Sequence, residues 1–303
     1  GAGWVAVSGL EAGPSSERRD VGGGGGVGVG GAGRRVERRE AGERDAGSGE
    51  DQQSGDDCTH GRPLQVHDEE GDGIRLHLLG AEVAGVGAAG RALRTGSPMG
   101  LQWKTLDVQI KHVEGSSGLP VPVDKEGADY LVLLSSMEII NFPEYLEAIT
   151  KIFDHAGVSW TLSKDCFEAT NAGIQIGSQD IAAELVERVV SAAVKLKVKN
   201  VISPECGHAY TAIRWEGPNL IGRAYPFRVF HIIEVLDELR ASGRLKTEGM
   251  ETDRLSMHDP CNLGRKSGCI QQQRNLMDLV AENFVELKEH GLYQWCCGAG
   301  GGV

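Results

Sequence analysis

DYLVLLSSMEIINFPEYLEAITKIFDHAGVSWTLS, residues 129–163, contains the pattern that decides the fold class. Its first eight residues are an apolar run of the length of a β-strand. The apolar side chains that follow are three and four residues apart, which is the spacing of an amphipathic helix, and Gly157 is a typical end for it. A second short apolar run begins at Val158. The order strand, helix, strand predicts a parallel βαβ unit.

The same alternation continues towards the C-terminal end of the chain. Besides strands at 129–135 and 158–162, the pattern predicts strands at 199–203, 254–258 and 292–295, and helices at 178–198, 227–243 and 271–291. Strands that alternate with helices are typical of parallel sheets with right-handed crossovers. We therefore predict an α/β fold of parallel βαβ units from about residue 124 onwards.

Residues 1–100 differ from the rest of the chain in composition. They hold more than half of the 44 glycines, and their charged stretches contain few large apolar side chains. Such a segment buries too little apolar surface to offset the entropy of ordering it. We expect a disordered Gly/Arg-rich region here. The same composition is typical of a GC-rich stretch read in the wrong frame, and the sequence leaves both interpretations open.

Charge and cysteine content exclude some classes of protein. The net charge of -12 argues against a nucleic acid partner, because phosphate binding requires a basic surface. No apolar run is long enough to span a bilayer, and no secretion signal is recognisable. In such a chain, seven cysteines indicate reduced thiols, metal ligands or redox chemistry rather than a disulfide framework.

Four of the cysteines follow predicted strands. Cys206 follows the third strand, Cys261 follows the fourth, and the vicinal pair Cys296 and Cys297 follows the fifth. In parallel α/β sheets, the loops after the carboxyl ends of the strands form the ligand crevice. We therefore expect these four thiols to meet at one edge of one sheet.

Several chemistries are open to such thiols. Zinc accepts the C-x-H pair at 206–208 and the H-x-x-C pair at 258–261. The vicinal pair at 296–297 is poorly suited to a single tetrahedral ion, because its two sulfurs are held on one short dipeptide. It suits a cluster of several irons, for which thiolates are the usual ligands. A vicinal disulfide or inert buried thiols are further alternatives.

The cysteine spacing carries a resemblance to a known family. Cys261 and the pair at 296–297 enclose 34 residues and form C-x34-C-C-G. This resembles the first part of the CCG motif of the heterodisulfide reductase catalytic subunit family, in which a C-x-x-C follows later. A degenerate earlier copy is visible, with Cys166 at the place of a vicinal pair and Cys206 at the end of a C-x-x-C. The resemblance thus implies two pseudo-repeated CCG-type halves.

The resemblance covers residues 101–303, which would form the CCG-type cysteine-rich domain, and does not cover residues 1–100. The sequences SPECGHAY, RWEGPNLIGR and HDPCNLGR are similar to the DsrK/HmcF branch, the catalytic subunit of membrane redox complexes in sulfate-reducing and sulfur-oxidising prokaryotes. Members carry N-terminal ferredoxin-like cysteines and the later C-x-x-C, which are both missing here. We therefore expect a C-terminally truncated fragment.

The family also implies a cofactor and residue roles. The cofactor would be a non-cubane [4Fe-4S] cluster with Cys261, Cys296 and Cys297 as ligands and Cys206 as a further metal ligand. Cys206 and His208 would be catalytic and would stabilise a thiolate or supply a proton. Because only three of the five motif cysteines are present, we expect this chain to bind its cluster poorly or not at all. Cys269 lies outside the motif, and we expect no role for it.

The implied function is an iron–sulfur oxidoreductase subunit that reduces or forms a disulfide or trisulfide of a small protein or thiol. Its partners would be membrane haem- or quinone-linked subunits and a small sulfur-carrier protein. It would be cytoplasmic and peripherally associated with the membrane. Alternatives are an iron–sulfur electron-transfer subunit of a glycolate, lactate or glycerol-3-phosphate oxidase, a cluster-free scaffold subunit and a zinc-binding hydrolase.

Overall fold

The computed structural model of the protein describes residues 85–203 and 206–297. The expectation of disorder for residues 1–84 therefore lies outside the described residues. Residues 85–95 form a helix, α1. Its Ala89 and Ala92 are buried against Leu185, and Arg188 donates a hydrogen bond to the carbonyl of Ala92. The expectation of disorder was wrong for residues 85–100, because small alanine side chains let this glycine-containing helix pack closely.

The central sheet has four parallel strands in the order β2-β1-β3-β4. They are β1 (Tyr130–Val132), β2 (Trp160–Thr161), β3 (Asn200–Ser203) and β4 (Arg228–His231). In the register of this sheet, Tyr130 lies between Trp160 and Asn200, and Val201 pairs with Val229. The prediction of an α/β fold with parallel strands is confirmed.

Helices connect the strands and follow them. They are α2 (Trp103–Ser117), α3 (Ser136–Asn141), α4 (Pro143–His155), α5 (Ala172–Gln175), α6 (Gln179–Lys195), α7 (Gly207–Thr211), α8 (Gly217–Leu220), α9 (Ile232–Ala241), α10 (Cys261–Gly264) and α11 (Gln271–Val280). A π-helical turn, Ala212–Glu216, joins α7 to α8. Among the described helices, none combines the length and the apolar composition that crossing a bilayer requires.

The core has two layers because successive strand residues point to opposite faces of the sheet. On one face, Val132, Ile202 and Phe230 belong to a buried cluster with residues of α2, α4 and α9. On the other face, Leu131 and Val201 belong to a second cluster with residues of α6 and α7. Helices thus cover both faces, as is typical of parallel sheets.

A second sheet contains only two parallel strands, β5 (Glu251–Leu255) and β6 (Ala281–Phe284), with α10 and α11 between them in the chain. Two repeated halves would be expected to form similar sheets, but these two sheets differ in strand number. The two pseudo-repeated CCG-type halves therefore stay a prediction. The expectation that the strands before the four cysteines share one sheet was wrong.

Three element boundaries also differ from the prediction. The helix predicted at 227–243 begins only at Ile232, because the preceding residues extend the central sheet as β4. The helix predicted at 271–291 ends at Val280, and the chain continues into β6. The strand predicted at 292–295 is absent from the described residues, where a 3₁₀ turn occupies Gly291–Tyr293. Arg265, rather than a neighbouring strand, binds the carbonyls of this segment.

Candidate cysteine site

Helices α7 and α10 bring two of the predicted cysteines to one junction. Cys206 precedes α7, and its sulfur accepts a hydrogen bond of 3.5 Å from the backbone N–H of Ala209. Cys261 is the first residue of α10. The two helices touch at Gly207, where a Cβ atom would lie 3.1 Å from the backbone nitrogen of Leu263. The residue after Cys206 is therefore in contact with the helix that carries Cys261.

Gly207→Ala is expected to lower the free energy of unfolding by about 1–3 kcal/mol, because a methyl group there forces two backbones apart. Urea unfolding followed by circular dichroism measures the change. Gly115→Ala is the matched control, since Gly115 also lies in a helix but has no atom within 4 Å of the added carbon. That variant is expected to gain about 0.5–1 kcal/mol of stability. Equal effects of the two substitutions would contradict the close contact.

A side-chain amide links the two helices. The amide nitrogen of Asn262 lies 2.8 Å from Nε2 of His208 and 3.6 Å from the sulfur of Cys261. Burial, with a smaller contribution from the positive charge of Lys266, lowers the pKa of His208 below its usual value. The imidazole is therefore neutral at physiological pH. Among the described residues, the imidazole forms a hydrogen bond with Asn262 and none with a thiol.

The segment before the vicinal pair is tied to the segment around Cys261. Nε2 of His258 donates a hydrogen bond of 2.8 Å to the carbonyl of Trp295. Arg265, which follows α10, donates to the carbonyls of Leu292 at 3.1 Å and of Gln294 at 2.6 Å. Three bonds thus hold the chain directly before Cys296 against the loop and helix that contain Cys261.

A buried ion pair also helps to hold the segment around Cys261 against the segment that leads to the vicinal pair. The carboxylate of Asp259 is fully buried and receives two hydrogen bonds from the Arg274 guanidinium. It also accepts a bond of 2.6 Å from the backbone N–H of Gly291. Burial acts to raise the pKa of the Asp259 carboxyl, but Arg274 and the Gly291 N–H outweigh it and hold that pKa below the usual value. Asp259 therefore stays charged and fixes the turn that leads to the vicinal pair.

The cysteines fall into two groups by exposure. Cys206 and Cys261 are half-buried, and Cys296 and Cys297 are exposed. Cys166 and Cys269 are buried, and burial raises the pKa of Cys166 to about 12 and that of Cys269 to about 11. Since the thiolate is the form that binds metals, these two buried thiols are poor ligands. All six cysteines in the described part of the chain are thiols.

The expectation of one shared sheet edge was wrong in its detail. Cys206 follows β3 of the four-stranded sheet, whereas Cys261 follows β5 of the two-stranded sheet. The vicinal pair follows the 3₁₀ turn instead of a strand. The segments come together nonetheless, through helix contact at Gly207 and through the bonds of His258 and Arg265. Hydrogen bonds from side chains to backbone carbonyls therefore hold together segments that we expected one sheet to bring together.

The donors present fit a thiolate-bound metal centre in type. Two chain segments that the bonds of His258 and Arg265 hold together contribute three exposed or half-buried thiols. Within residues 85–203 and 206–297, no group of three or more His, Cys, Asp or Glu side chains is already arranged to hold a metal ion. The thiols would therefore have to reorient around a bound centre.

Comparison with known proteins agrees with this set of donors. The family model of the cysteine-rich domain called CCG matches residues 255–303. One subunit of the dihydromethanophenazine:CoB–CoM heterodisulfide reductase of Methanosarcina acetivorans is 32% identical over 161 residues, which are 52% of this chain and 39% of the relative. No solved structure matches the chain.

Two further relatives extend the comparison. An Hdr-like menaquinol oxidoreductase iron–sulfur subunit of Archaeoglobus fulgidus is 25% identical over 257 residues, which are 69% of this chain and 46% of the relative. The EtfAB:quinone oxidoreductase of Syntrophomonas wolfei is 28% identical over 183 residues, which are 59% of this chain and 25% of the relative. The chain therefore spans less than half the length of these relatives.

The fold, the thiols and the matched segment define the class: this is a protein with a CCG cysteine-rich domain. Its relatives include a heterodisulfide reductase subunit and an Hdr-like iron–sulfur subunit, and the cysteine spacing predicts this similarity. The sequence pattern did not single out Asp259, Asn262, Arg265 or Arg274, although the first three lie in the HDPCNLGR motif around Cys261.

Proposed function

We propose that this chain is an iron–sulfur oxidoreductase subunit whose site is built on Cys261, Cys296 and Cys297. The observation that carries the proposal is the pairing of the two motif segments, in which His258 and Arg265 bind the carbonyls directly before Cys296. A non-cubane [4Fe-4S] cluster is the cofactor that this set of thiols suits best. When bound, it supplies electrons one at a time.

The reaction that we assign to the site is the interconversion of a disulfide or trisulfide with thiols. In the reducing direction, the S–S bond of a disulfide takes up two electrons and two protons and yields two thiols, whereas the same uptake at a trisulfide yields one thiol and one persulfide. Cys206 and His208 lie at the junction of α7 and α10 and would face the thiolate that forms. Cys206 could serve as a further metal ligand, and a neutral His208 could accept a proton from the incoming thiol in the oxidising direction.

The partners that we propose follow from the relatives. The Archaeoglobus relative is named as a menaquinol oxidoreductase subunit, which favours membrane haem- or quinone-linked subunits as electron partners. The sulfur substrate would be carried by a small protein. We propose that the chain works on the cytoplasmic side and is held at the membrane by these partners.

A second candidate function is electron transfer without a sulfur substrate. The Syntrophomonas relative is named as an oxidoreductase between EtfAB and quinone, and its name contains no disulfide. The same thiols would then hold a centre that only relays electrons from a flavoprotein, as in a glycolate, lactate or glycerol-3-phosphate oxidase. The two candidates differ in whether a thiol binds at the centre.

Anaerobic reconstitution of the chain with iron and sulfide tests the proposal. We expect iron and acid-labile sulfide in equal amounts with little zinc, and an occupancy below one cluster per chain, because the chain contains three of the five motif cysteines. A paramagnetic signal that arises only on oxidation with a thiol favours the disulfide chemistry. A signal that is the same with and without the thiol favours electron transfer. Stoichiometric zinc, or no iron at all, would refute both.

A further inference from the structure

We propose that Gln294 is a binding residue of the iron–sulfur centre, and that its side-chain amide donates a hydrogen bond to an anionic sulfur of that centre. The inference rests on the proposed function and adds a contact that the thiol ligands do not provide. The observation that carries it is a buried amide nitrogen beside the vicinal pair, for which the described part of the chain provides no acceptor.

Gln294 lies on the inner side of the segment that precedes the vicinal pair. It is 2% exposed, whereas its neighbours Tyr293 and Trp295 are 84% and 75% exposed. This is the reverse of the usual distribution, in which amide side chains are mostly exposed and aromatic ones are mostly buried. Burial of apolar surface alone would favour the opposite orientation of the segment. Specific polar interactions therefore hold Gln294 inside.

Arg265 supplies these interactions and fixes the orientation of the amide. Its Nη2 donates to the backbone carbonyl of Gln294 at 2.6 Å and to the side-chain Oε1 of the same residue at 3.4 Å. A guanidinium has donors and no acceptor, so the amide atom next to it is the oxygen. A flipped amide would place two donors against each other. Nε2 is therefore the amide atom that lies farther from Arg265.

This nitrogen is a buried donor that has no acceptor among residues 85–203 and 206–297. An unpaired buried donor lowers stability, because the group has lost its hydrogen bonds to water. Such groups are uncommon in native proteins, and a functional ligand is one of the explanations for them. The metal-free chain thus has a donor whose acceptor would arrive with a ligand.

The position of the amide indicates the class of that acceptor. Gln294 is two residues before Cys296, and Arg265 donates its backbone N–H to the carbonyl of Cys261 at 2.9 Å. The amide therefore lies where the two segments with the motif thiols meet. A centre held by these thiols contains anionic sulfur atoms, and hydrogen bonds to such sulfurs help to set the reduction potential. A charged acceptor also strengthens the hydrogen bond.

Urea unfolding of the metal-free chain is the first test. Gln294→Met keeps the length of the side chain and removes the unpaired donor, so the urea midpoint is expected to stay the same or to rise. Gln294→Leu also lacks the donor and is expected to behave alike. A purely structural role of the amide predicts a lower midpoint in both variants.

Gln273→Met is the matched control. Gln273 is also buried, but its Nε2 donates to the carbonyl of Cys269 at 2.5 Å. Its replacement leaves that carbonyl unpaired, so the urea midpoint is expected to fall. An equal fall in Gln294→Met and Gln294→Leu, or their failure to fold, would show that the Gln294 nitrogen already has a partner such as an ordered water. That result would overturn the proposal.

The chain reconstituted with iron and sulfide is expected to respond with the opposite sign. Gln294→Met should release iron to a chelator about three- to tenfold faster than the unchanged chain, which corresponds to the loss of one hydrogen bond. Its reduction potential should shift to a more negative value, because the donor favours the more negatively charged, reduced centre. Both are measured without a thiol substrate. A difference that arises only when a thiol is added would assign the donor to the substrate and overturn the proposal.

The inference and the proposed function fail in different ways. No iron in the unchanged chain would refute both. Iron that Gln294→Met retains with the release rate and the potential of the unchanged chain would overturn the inference and leave the proposed function standing. The expected result is an unchanged or higher urea midpoint without metal, together with faster iron release and a more negative potential with it.

Discussion

Replacing Arg274 by methionine is expected to lower the free energy of unfolding by about 3–5 kcal/mol, the usual effect of removing one partner of a buried ion pair. The carboxylate of Asp259 has no exposed surface and receives two hydrogen bonds from the guanidinium. Without Arg274, the charge stays buried, and in the described part of the chain the N–H of Gly291 is its remaining hydrogen-bond donor. Urea unfolding of the purified chain measures the loss.

An exposed pair of the same chemistry is the matched control. Arg223 donates two hydrogen bonds to Glu187, but both side chains are more than a third exposed. Arg223→Met is therefore expected to change the free energy of unfolding by no more than about 1 kcal/mol. Similar losses in the two variants would show that the burial of Asp259 does not govern its energetics.

The dependence on pH has a defined sign. The pKa of Asp259 is lowered in the folded chain, so its contribution is fully present above the unfolded value of about 3.9 and is lost as the pH falls through the lower folded value. In Arg274→Met the carboxyl keeps its burial without the guanidinium, which raises its pKa. The difference in stability between the two proteins is therefore expected to be largest near neutral pH and to shrink in acid.

Local sequence pattern predicted the central βαβ units because each strand there is a short apolar run bounded by turn residues. β4 was not predicted, because no turn residue separates it from the amphipathic helix that follows. The change occurs at His231, whose ring nitrogen caps the first turn of α9. β6 escaped for a similar reason, because Ala281 follows α11 directly and its pairing with Glu251 of β5 is a long-range contact. Periodicity detects neither kind of transition.

The cysteine spacing identified the candidate site although the predicted sheet was wrong. Spacing along the chain indicates which residues belong to one motif, while other side chains make the contacts that bring their segments together. Arg265 and His258 donate hydrogen bonds to backbone carbonyls. Because every residue has a backbone carbonyl, the sequence does not indicate which carbonyls are bound. Asp259 lies in the HDPCNLGR sequence, but its burial and its bond to Gly291 depend on the folding of the C-terminal segment.

Changing Cys296 or Cys297 to serine is expected to reduce the iron content of the anaerobically reconstituted chain to background. A serine hydroxyl stays protonated at neutral pH and is a poor substitute for a thiolate, and only three motif cysteines are present to begin with. Both side chains are exposed, so neither substitution creates a cavity or buries an unpaired polar group. Unfolding in urea should accordingly be unchanged in the metal-free state, which separates lost ligands from lost structure.

Cys269→Ser tests whether any cysteine would give this result. Cys269 is buried, its pKa is raised to about 11, and its sulfur contacts the carbonyl of Ser267, which a serine hydroxyl can also reach. We expect this variant to keep the iron content of the unchanged chain, because a neutral buried thiol contributes no ligand. The measurement is iron and acid-labile sulfide per folded chain in all three variants, prepared together without oxygen. Iron retained in both vicinal variants, or lost equally in Cys269→Ser, would mean that the vicinal pair does not hold the centre.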